Sequence, residues 1–85
     1  MEPGKVMIVD GEPQARGGVG IALIARGFEV IDARSGEEAL ESLRHETPHV
    51  ILLDLTMPGI GGMETCRLIR ERSEIPIIIA SARKT

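Results

Sequence analysis

The sequence predicts an α/β protein in which helices cover both faces of a parallel sheet. Four short apolar runs alternate with three helical patterns along the chain. The runs at residues 50–53 and 76–80 are apolar throughout, which is typical of strands that are buried on both faces of a parallel sheet. The chain has 85 residues, of which 42% are apolar, so we expect one folded domain that spans residues 1–85.

The first strand and the first helix are predicted between Lys5 and Gly27. Residues 5–10 form a short apolar run that ends in a carboxylate and is followed by a glycine, as expected for a buried strand. Pro13 suits the first turn of a helix, and Gly27 is a stop signal after its last turn. The helix is expected to bury one stripe of apolar side chains, formed by Ala15, Val19, Ala22 and Leu23.

The second strand and the second helix follow directly. Residues 28–33 alternate along the run in the way that predicts a strand. Ser35 and Glu38 have the spacing of a capping box, which predicts that a helix begins there. This helix is expected to end near Glu46, before Pro48, and to bury Ala39, Leu40 and Leu43.

The remaining elements are a strand, a loop, a helix and a last strand. Val50–Leu53 ends at Asp54 and is too apolar for a strand with one solvated face, so a central position is predicted. Residues 55–62 contain a proline and three glycines and predict a loop. A third helix is expected to run to about Arg72, with an inner face formed by Met63, Cys66 and Ile69. Residues 76–80 predict the fourth strand.

Charge and composition exclude several classes of protein. Ten basic and thirteen acidic side chains give a net charge of −3 without a basic block, so we expect no direct contact with nucleic acid. No apolar run approaches the roughly 18 residues of a membrane span, so no membrane partner is expected. The single cysteine, Cys66, cannot form a disulfide framework, which favours a reducing, cytoplasmic location. His45 and His49 lack the spacing of metal ligands.

Polar side chains lie at the predicted carboxyl ends of the strands, where parallel sheets bind their ligands. They are Asp10, Glu12, Asp54, Thr56 and Ser81. Two carboxylates that end neighbouring strands would converge there, and carboxylate oxygens are ligands that Mg²⁺ prefers. A carboxylate in such a place is also a nucleophile toward phosphoryl groups. A simpler alternative remains open, in which these carboxylates are solvated strand ends or helix caps.

The chain resembles the receiver domain of two-component response regulators over essentially its whole length. The residues that carry the resemblance lie in four segments, 6–13, 33–39, 50–59 and 76–83, of which Asp-Leu-Thr-Met-Pro-Gly at 54–59 is the most specific. The resemblance implies a flavodoxin-like β1-α1-β2-α2-β3-α3-β4 arrangement. In this arrangement the strand that starts at Lys5 lies between those that start at Phe28 and Val50.

The resemblance also implies a role for individual residues. In the family, an aspartate at the position of Asp54 takes a phosphoryl group from the phosphohistidine of a sensor histidine kinase. Mg²⁺ would be held by Asp10, Asp54 and the main-chain carbonyl of Thr56, with Glu12 as an additional candidate ligand. A hydroxyl at the position of Ser81 turns toward the phosphoryl group and relays the change. The chain is thus expected to be a signalling module and not an enzyme.

Two departures from the family pattern bear on activity. The family has a pair of acids at the end of its first strand, and the second acid is replaced here by Gly11, which should weaken Mg²⁺ binding. The family also continues after the fourth strand with a helix, a fifth strand that carries an essential lysine, and a last helix. Lys84 does not match that lysine, so a receiver domain truncated after the fourth strand is expected.

Two further hypotheses follow. The departures suggest a receiver fragment that has lost its chemistry and acts as a structural or interaction module. Its fourth strand would then be an apolar edge, with Ile77, Ile78 and Ile79, that a second copy could cover in a homodimer or a swapped dimer. Ile24 on the first helix favours the same outcome. A dinucleotide-binding loop at Gly18 and Gly20 is disfavoured, because these glycines lie too far past the strand.

Overall fold

The computed structural model describes residues 4–79, which form four parallel strands and three helices. This confirms the predicted α/β architecture and the order of its elements. In chain order the elements are β1 (Lys5–Val9), α1 (Pro13–Ala25), β2 (Glu29–Ala33), α2 (Gly36–Ser42), β3 (Val50–Leu53), α3 (Gly61–Arg70) and β4 (Ile77–Ile79).

The sheet has the strand order β2-β1-β3-β4, as the resemblance implied. Val9, the last residue of β1, is the partner of Ala33 in β2 and of Leu53 in β3. β4 pairs with β3, and Leu53 is opposite Ile79. Because all four strands are parallel, their carboxyl ends lie along one edge of the sheet.

The main core lies between the sheet and the two helices α2 and α3. Alternate side chains of each strand point to this face, and α2 and α3 supply Ala39 and Ile69. The fully buried members of this core are Met7, Val9, Ala33, Ala39, Ile51, Leu53 and Ile69. They are nearly all aliphatic, which agrees with a sequence that contains one aromatic residue.

The opposite face of the sheet is covered by α1 over β1 and β2. Gly20 is the buried residue of this helix, and a Cβ there would lie 3.8 Å from Val30 Cγ1 and 3.9 Å from Ile8 Cδ1. The predicted stripe of buried side chains is therefore wrong, because Leu23 is half-buried and Ala15, Val19 and Ala22 are exposed. The helix rests on the sheet at Gly20, and its isoleucines, Ile21 and Ile24, are exposed.

Two other features differ from the sequence-based expectation, the end of α2 and the inner face of α3. α2 ends at Ser42 and not near Glu46, because the chain tightens into turns in which Arg44 N donates to Glu41 O and His45 N to Ser42 O. In α3, Met63 is 70% exposed, so its predicted place on the inner face is wrong. That face is formed by Gly62, Thr65 and Ile69, with Cys66 half-buried beside them.

Candidate functional site

Asp10 and Asp54 lie side by side at the carboxyl edge of the sheet. Each follows the last residue of its strand, and those last residues, Val9 and Leu53, are partners in the β1–β3 pair. The backbone continues the ladder for one more step, since Asp54 N donates to Val9 O at 3.0 Å and Asp10 N to Ala33 O at 3.1 Å. The structure thus brings these two predicted site residues together.

Asp54 is almost completely buried, with 4% of its surface exposed. Its Oδ1 accepts a hydrogen bond from Thr56 N at 3.1 Å, so the carboxylate orders the first turn of the loop that follows. The Thr56 residue itself is exposed. A carboxylate at the end of a central strand and next to a second carboxylate is a candidate nucleophile or metal ligand.

The loop of residues 55–60 closes tightly onto the start of α3. Gly62 N donates to Leu55 O at 3.2 Å, and any Cβ at Gly62 would overlap Leu55 Cα and lie 2.6 Å from Asp54 O. Gly59 and Gly61 have φ angles of 77° and 80°, a region that favours glycine. The predicted loop therefore needs its glycines, which let the backbone return to Asp54 within a few residues.

The same loop packs against the first turn of α2. Glu37 Oε2 accepts from Ile60 N at 3.3 Å, and a Cβ at Gly36 would overlap Thr65 Oγ1. Thr65 is buried and donates to Gly61 O at 2.6 Å. The helices α2 and α3 thus meet next to the loop that follows Asp54.

The predicted capping box of α2 forms, except that Glu38 accepts from the residue before Ser35 and not from Ser35 itself. Ser35 Oγ accepts from Glu38 N at 3.1 Å, and Glu38 Oε1 accepts from Arg34 N at 2.7 Å. The hydrogen bond from the Arg34 backbone, with the nearby guanidinium of Arg34, holds the pKa of Glu38 below its ordinary value. Arg34 and Ser35 are therefore fixed at the edge of the sheet, one strand away from Asp10.

The contacts of Asp10 define the space that is available at position 11. Asp10 Oδ1 accepts from Glu12 N at 2.9 Å, and its main-chain carbonyl accepts from Arg16 Nη1 at 2.8 Å. A Cβ at Gly11 would lie 3.3 Å from Pro58 Cδ, so a larger side chain there requires Pro58 to move by a few tenths of an ångström. The Glu12 side chain is exposed and does not cap α1.

The metal-binding capacity of the edge is limited. Within residues 4–79 the structure contains no group of three or more His, Cys, Asp and Glu side chains that could hold a metal ion. What remains is the adjacent pair Asp10 and Asp54 with the main chain at Thr56, a set of hard oxygen donors of the kind that Mg²⁺ prefers. The ligand roles of these residues and of Glu12 stay predictions. Ser81 lies outside the described residues.

Sequence reasoning gave no role to Glu37 or Thr65. Glu37 looked like one more acid in the first turn of a helix, and Thr65 like a polar residue within α3. Their contacts depend on how α2 and α3 approach each other, which the periodicity of either helix alone does not show.

Among the helices that the structure describes, none is long and apolar enough to cross a membrane.

Comparison with known proteins adds a family to this geometry. A family model described as the response regulator receiver domain matches residues 6–85. The transcriptional regulatory protein AfsQ1 of Streptomyces coelicolor is 37% identical over 78 residues, which are 92% of this chain and 35% of that protein. The probable transcriptional regulator ycf27 of Porphyra purpurea is 40% identical over 92% of this chain and 32% of that protein. The chain thus spans about a third of these relatives.

Solved structures agree with the sequence relatives. The response regulator protein TrrA of Thermotoga maritima, crystallised in complex with Mg²⁺-BeF, matches with a TM-score of 0.87 at 33% identity. That match covers 99% of this chain and 72% of TrrA. The BeF3-activated N-terminal receiver domain of RstA from Klebsiella pneumoniae matches with a TM-score of 0.88 at 27% identity, over 95% of this chain and 69% of that one.

Proposed function

This chain belongs to the response regulator receiver domain family, and we propose from that premise that Asp54 accepts a phosphoryl group from the phosphohistidine of a sensor histidine kinase. The observation that carries the proposal is the adjacency of Asp54 and Asp10 at the carboxyl edge of the sheet. Asp54 ends a central strand, and its carboxylate is tied to the loop through Thr56 N. These features support a rigid acceptor and not a solvated strand end.

The transfer itself is a substitution at phosphorus. An oxygen of the Asp54 carboxylate attacks the phosphorus atom, and the bond between phosphorus and the imidazole nitrogen of the donor breaks. The electron pair of that bond stays on the nitrogen, and one proton taken up from solvent makes the leaving group a neutral imidazole. The product is an acyl phosphate on Asp54, and no electrons are gained or lost.

We propose weak Mg²⁺ binding at the same edge. Asp10, Asp54 and the main-chain carbonyl of Thr56 would hold the ion, with Glu12 as an additional candidate. When bound, the ion would offset negative charge on the phosphoryl oxygens. Gly11 supplies no carboxylate, and Mg²⁺ gives up its water ligands reluctantly, so we expect weaker binding than at a complete acidic site. Ser81 is proposed as the hydroxyl that responds to the phosphoryl group.

The test is incubation with acetyl phosphate and Mg²⁺, followed by intact-mass measurement. We expect the wild-type chain to gain one phosphoryl group and the Asp54→Asn variant to gain none. Asp32→Asn, which changes an exposed aspartate of β2, is the matched control and should behave like the wild type. No gain by the wild-type chain, or an equal gain by Asp54→Asn, would rule out Asp54 as the acceptor.

A second candidate function is self-association as an interaction module, favoured by the edge strand β4. Within the described residues, β4 pairs with β3 on one side only, and Ile78 and Ile79 are 52% and 46% exposed. A strand edge offers unpaired amides and carbonyls that a second copy can satisfy through the same edge in a symmetric pair. Burial of one isoleucine side chain contributes roughly 1.5–3 kcal/mol, so covering this edge favours a dimer.

Light scattering at micromolar concentration tests this second candidate. We expect a species of twice the 9.2 kDa chain mass, and the Ile78→Lys variant should shift it toward the monomer. Ile21→Lys, on the exposed side of α1, is the control and should leave β4-mediated association unchanged. A folded, monodisperse monomer for the wild-type chain would overturn the proposal.

A further inference from the structure

The loop between Asp54 and α3 is held by α2 as well as by its own ends. We use the name acceptor loop for residues 55–60. At its start, Thr56 N donates to Asp54 Oδ1, and after its end Gly62 N donates to Leu55 O. Between these points the loop contacts the first turn of α2 through Glu37. This third attachment is the one that the local sequence of the loop does not provide.

The Glu37 carboxylate lies directly on the backbone of the acceptor loop. Its Oε2 accepts from Ile60 N at 3.3 Å, and both of its oxygens lie 2.8 Å from the position that a Cβ at Gly59 would occupy. Gly59 has a φ angle of 77°, so this approach combines a glycine conformation with a lack of side-chain bulk. The carboxylate is thus fitted to the turn and is not directed only to solvent.

Two ordinary explanations for Glu37 are a solvated helix face and a favourable interaction with the start of the α2 dipole. Glu38 already places a carboxylate at the start of α2, where it accepts from Arg34 N at 2.7 Å in the same turn. Solvation alone would not place both Glu37 oxygens against Gly59. The contact with the acceptor loop therefore calls for its own explanation.

We propose that Glu37 is a positioning residue of the phosphoacceptor site. It accepts from Ile60 N and so fixes the far end of the acceptor loop, whose near end is bound to the carboxylate of Asp54. The inference rests on the proposed function, since the position of the loop matters for chemistry only if Asp54 is the acceptor. It adds a residue from α2, which packs on the sheet beside α3, to the residues that position that acceptor.

The experiment compares Glu37→Ala, Glu37→Gln and the control Glu41→Ala by amide hydrogen exchange and by the rate of Asp54 phosphorylation with acetyl phosphate. Glu41 lies one turn further along α2 and pairs only with Arg44 among the ion pairs of the described residues. Loss of one hydrogen bond predicts about three- to tenfold faster exchange at Ile60 N in Glu37→Ala, and phosphorylation slower by a similar factor.

Glu37→Gln keeps an oxygen acceptor, so we expect it to restore both the exchange rate and the phosphorylation rate to within about twofold of the wild type. Glu41→Ala should change neither. Equal unfolding midpoints in urea for the two alanine variants would show that the effect is local. The inference would be overturned if Glu37→Ala exchanged the Ile60 amide at the wild-type rate. It would also be overturned if Glu37→Ala were phosphorylated as fast as the wild type or faster. If the wild-type chain takes no phosphoryl group, the proposed function fails, and exchange at Ile60 still decides whether Glu37 holds the loop.

Discussion

The two faces of the sheet differ in how completely helices cover them. On the face of α2 and α3, side chains from three strands and both helices are fully buried, among them Met7, Leu53 and Ile69. On the face of α1, the helix rests on the sheet at Gly20, while Ile21 and Ile24 are 72% and 60% exposed. One face is a closed core, and the other is open in the described part of the chain.

We infer from this difference that the two faces contribute differently to the fold. The closed face holds the strands in register and positions the acceptor loop, because Gly36 and Glu37 of α2 contact the residues around Ile60 and Thr65. The open face also buries side chains of β1, since Val6 and Ile8 are each 4% exposed, but Ile21 and Ile24 of its helix are exposed. Four variants or pairs of variants test this difference, and their expected effects decrease in the order given.

The first test removes a core side chain of the closed face. Ile51→Ala deletes a fully buried side chain in β3 and should lower the free energy of unfolding by about 2–5 kcal/mol. Ile21→Ala, the matched change on the open face, should alter it by less than about 0.5 kcal/mol. Urea unfolding measures both. Similar losses for the two variants would show that the open face is covered in solution.

Replacement of a glycine by alanine should change the stability of the protein in opposite directions on the two faces. A Cβ at Gly62 would overlap the Leu55 backbone, so Gly62→Ala should destabilise the protein by about 1–3 kcal/mol. Gly17 lies within α1, and a Cβ there would have no atom within 4 Å, so Gly17→Ala should stabilise the protein by about 0.5–1 kcal/mol. Thermal unfolding of both variants checks the signs. A stabilising Gly62→Ala would contradict the close contact at the acceptor loop.

The third prediction concerns Mg²⁺ binding at the carboxyl edge of the sheet. Gly11→Asp adds a carboxylate next to Asp10 and should tighten Mg²⁺ binding by roughly tenfold, because a hard ion gains an oxygen ligand. The new Cβ would lie 3.3 Å from Pro58 Cδ, which a small movement of the loop can relieve. Calorimetric titration of both proteins gives the affinities. Equal affinities would show that position 11 does not reach the ion, or that Glu12 already replaces the missing acid.

The smallest expected effect is a change in the pH dependence of stability, and it concerns the first turns of α1 and α2. α2 has a side-chain cap, and the hydrogen bond from Arg34 N lowers the pKa of Glu38, whereas α1 has no side-chain cap. A carboxyl whose pKa is lower in the folded protein stabilises it above the unfolded pKa of about 4.3, and the stabilisation is lost as pH falls through the folded value. The loss from pH 5 to pH 3 should be smaller in Glu38→Gln. Urea midpoints at both pH values measure this loss. An equal change of the midpoint in the wild type and in Glu38→Gln would exclude the cap as the source of the pH dependence.

Most of the fold could be predicted from the sequence because each element carries a local pattern. Apolar runs predicted β1, β3 and β4, and an alternating pattern predicted β2. The Ser35 capping box predicted the start of α2, and the glycines near Asp54 predicted a loop. The structure confirms all of these elements. The adjacency of Asp10 and Asp54 followed from their places after two parallel strands. Their chemical roles stay predictions.

What could not be predicted depends on contacts between elements. The stripe assigned to α1 was wrong because an apolar periodicity does not reveal that the helix approaches the sheet through Gly20. Met63 was assigned to the core for the same reason, although Thr65, a polar residue, takes the buried position. Glu37 has no distinguishing pattern at all. Its contact with Ile60 exists only once α2 and α3 have packed together.

The central place of β1 has a consequence for how the site comes into being. Val6 in β1 pairs with Val30 on one side and with Val50 on the other, so the first strand finds both neighbours far along the chain. Such distant contacts form slowly, because a long loop must close before either pairing is gained. Asp10 is synthesised early but meets Asp54 only when β3 docks. We therefore expect the two carboxylates to become neighbours only after β1 has paired with β3.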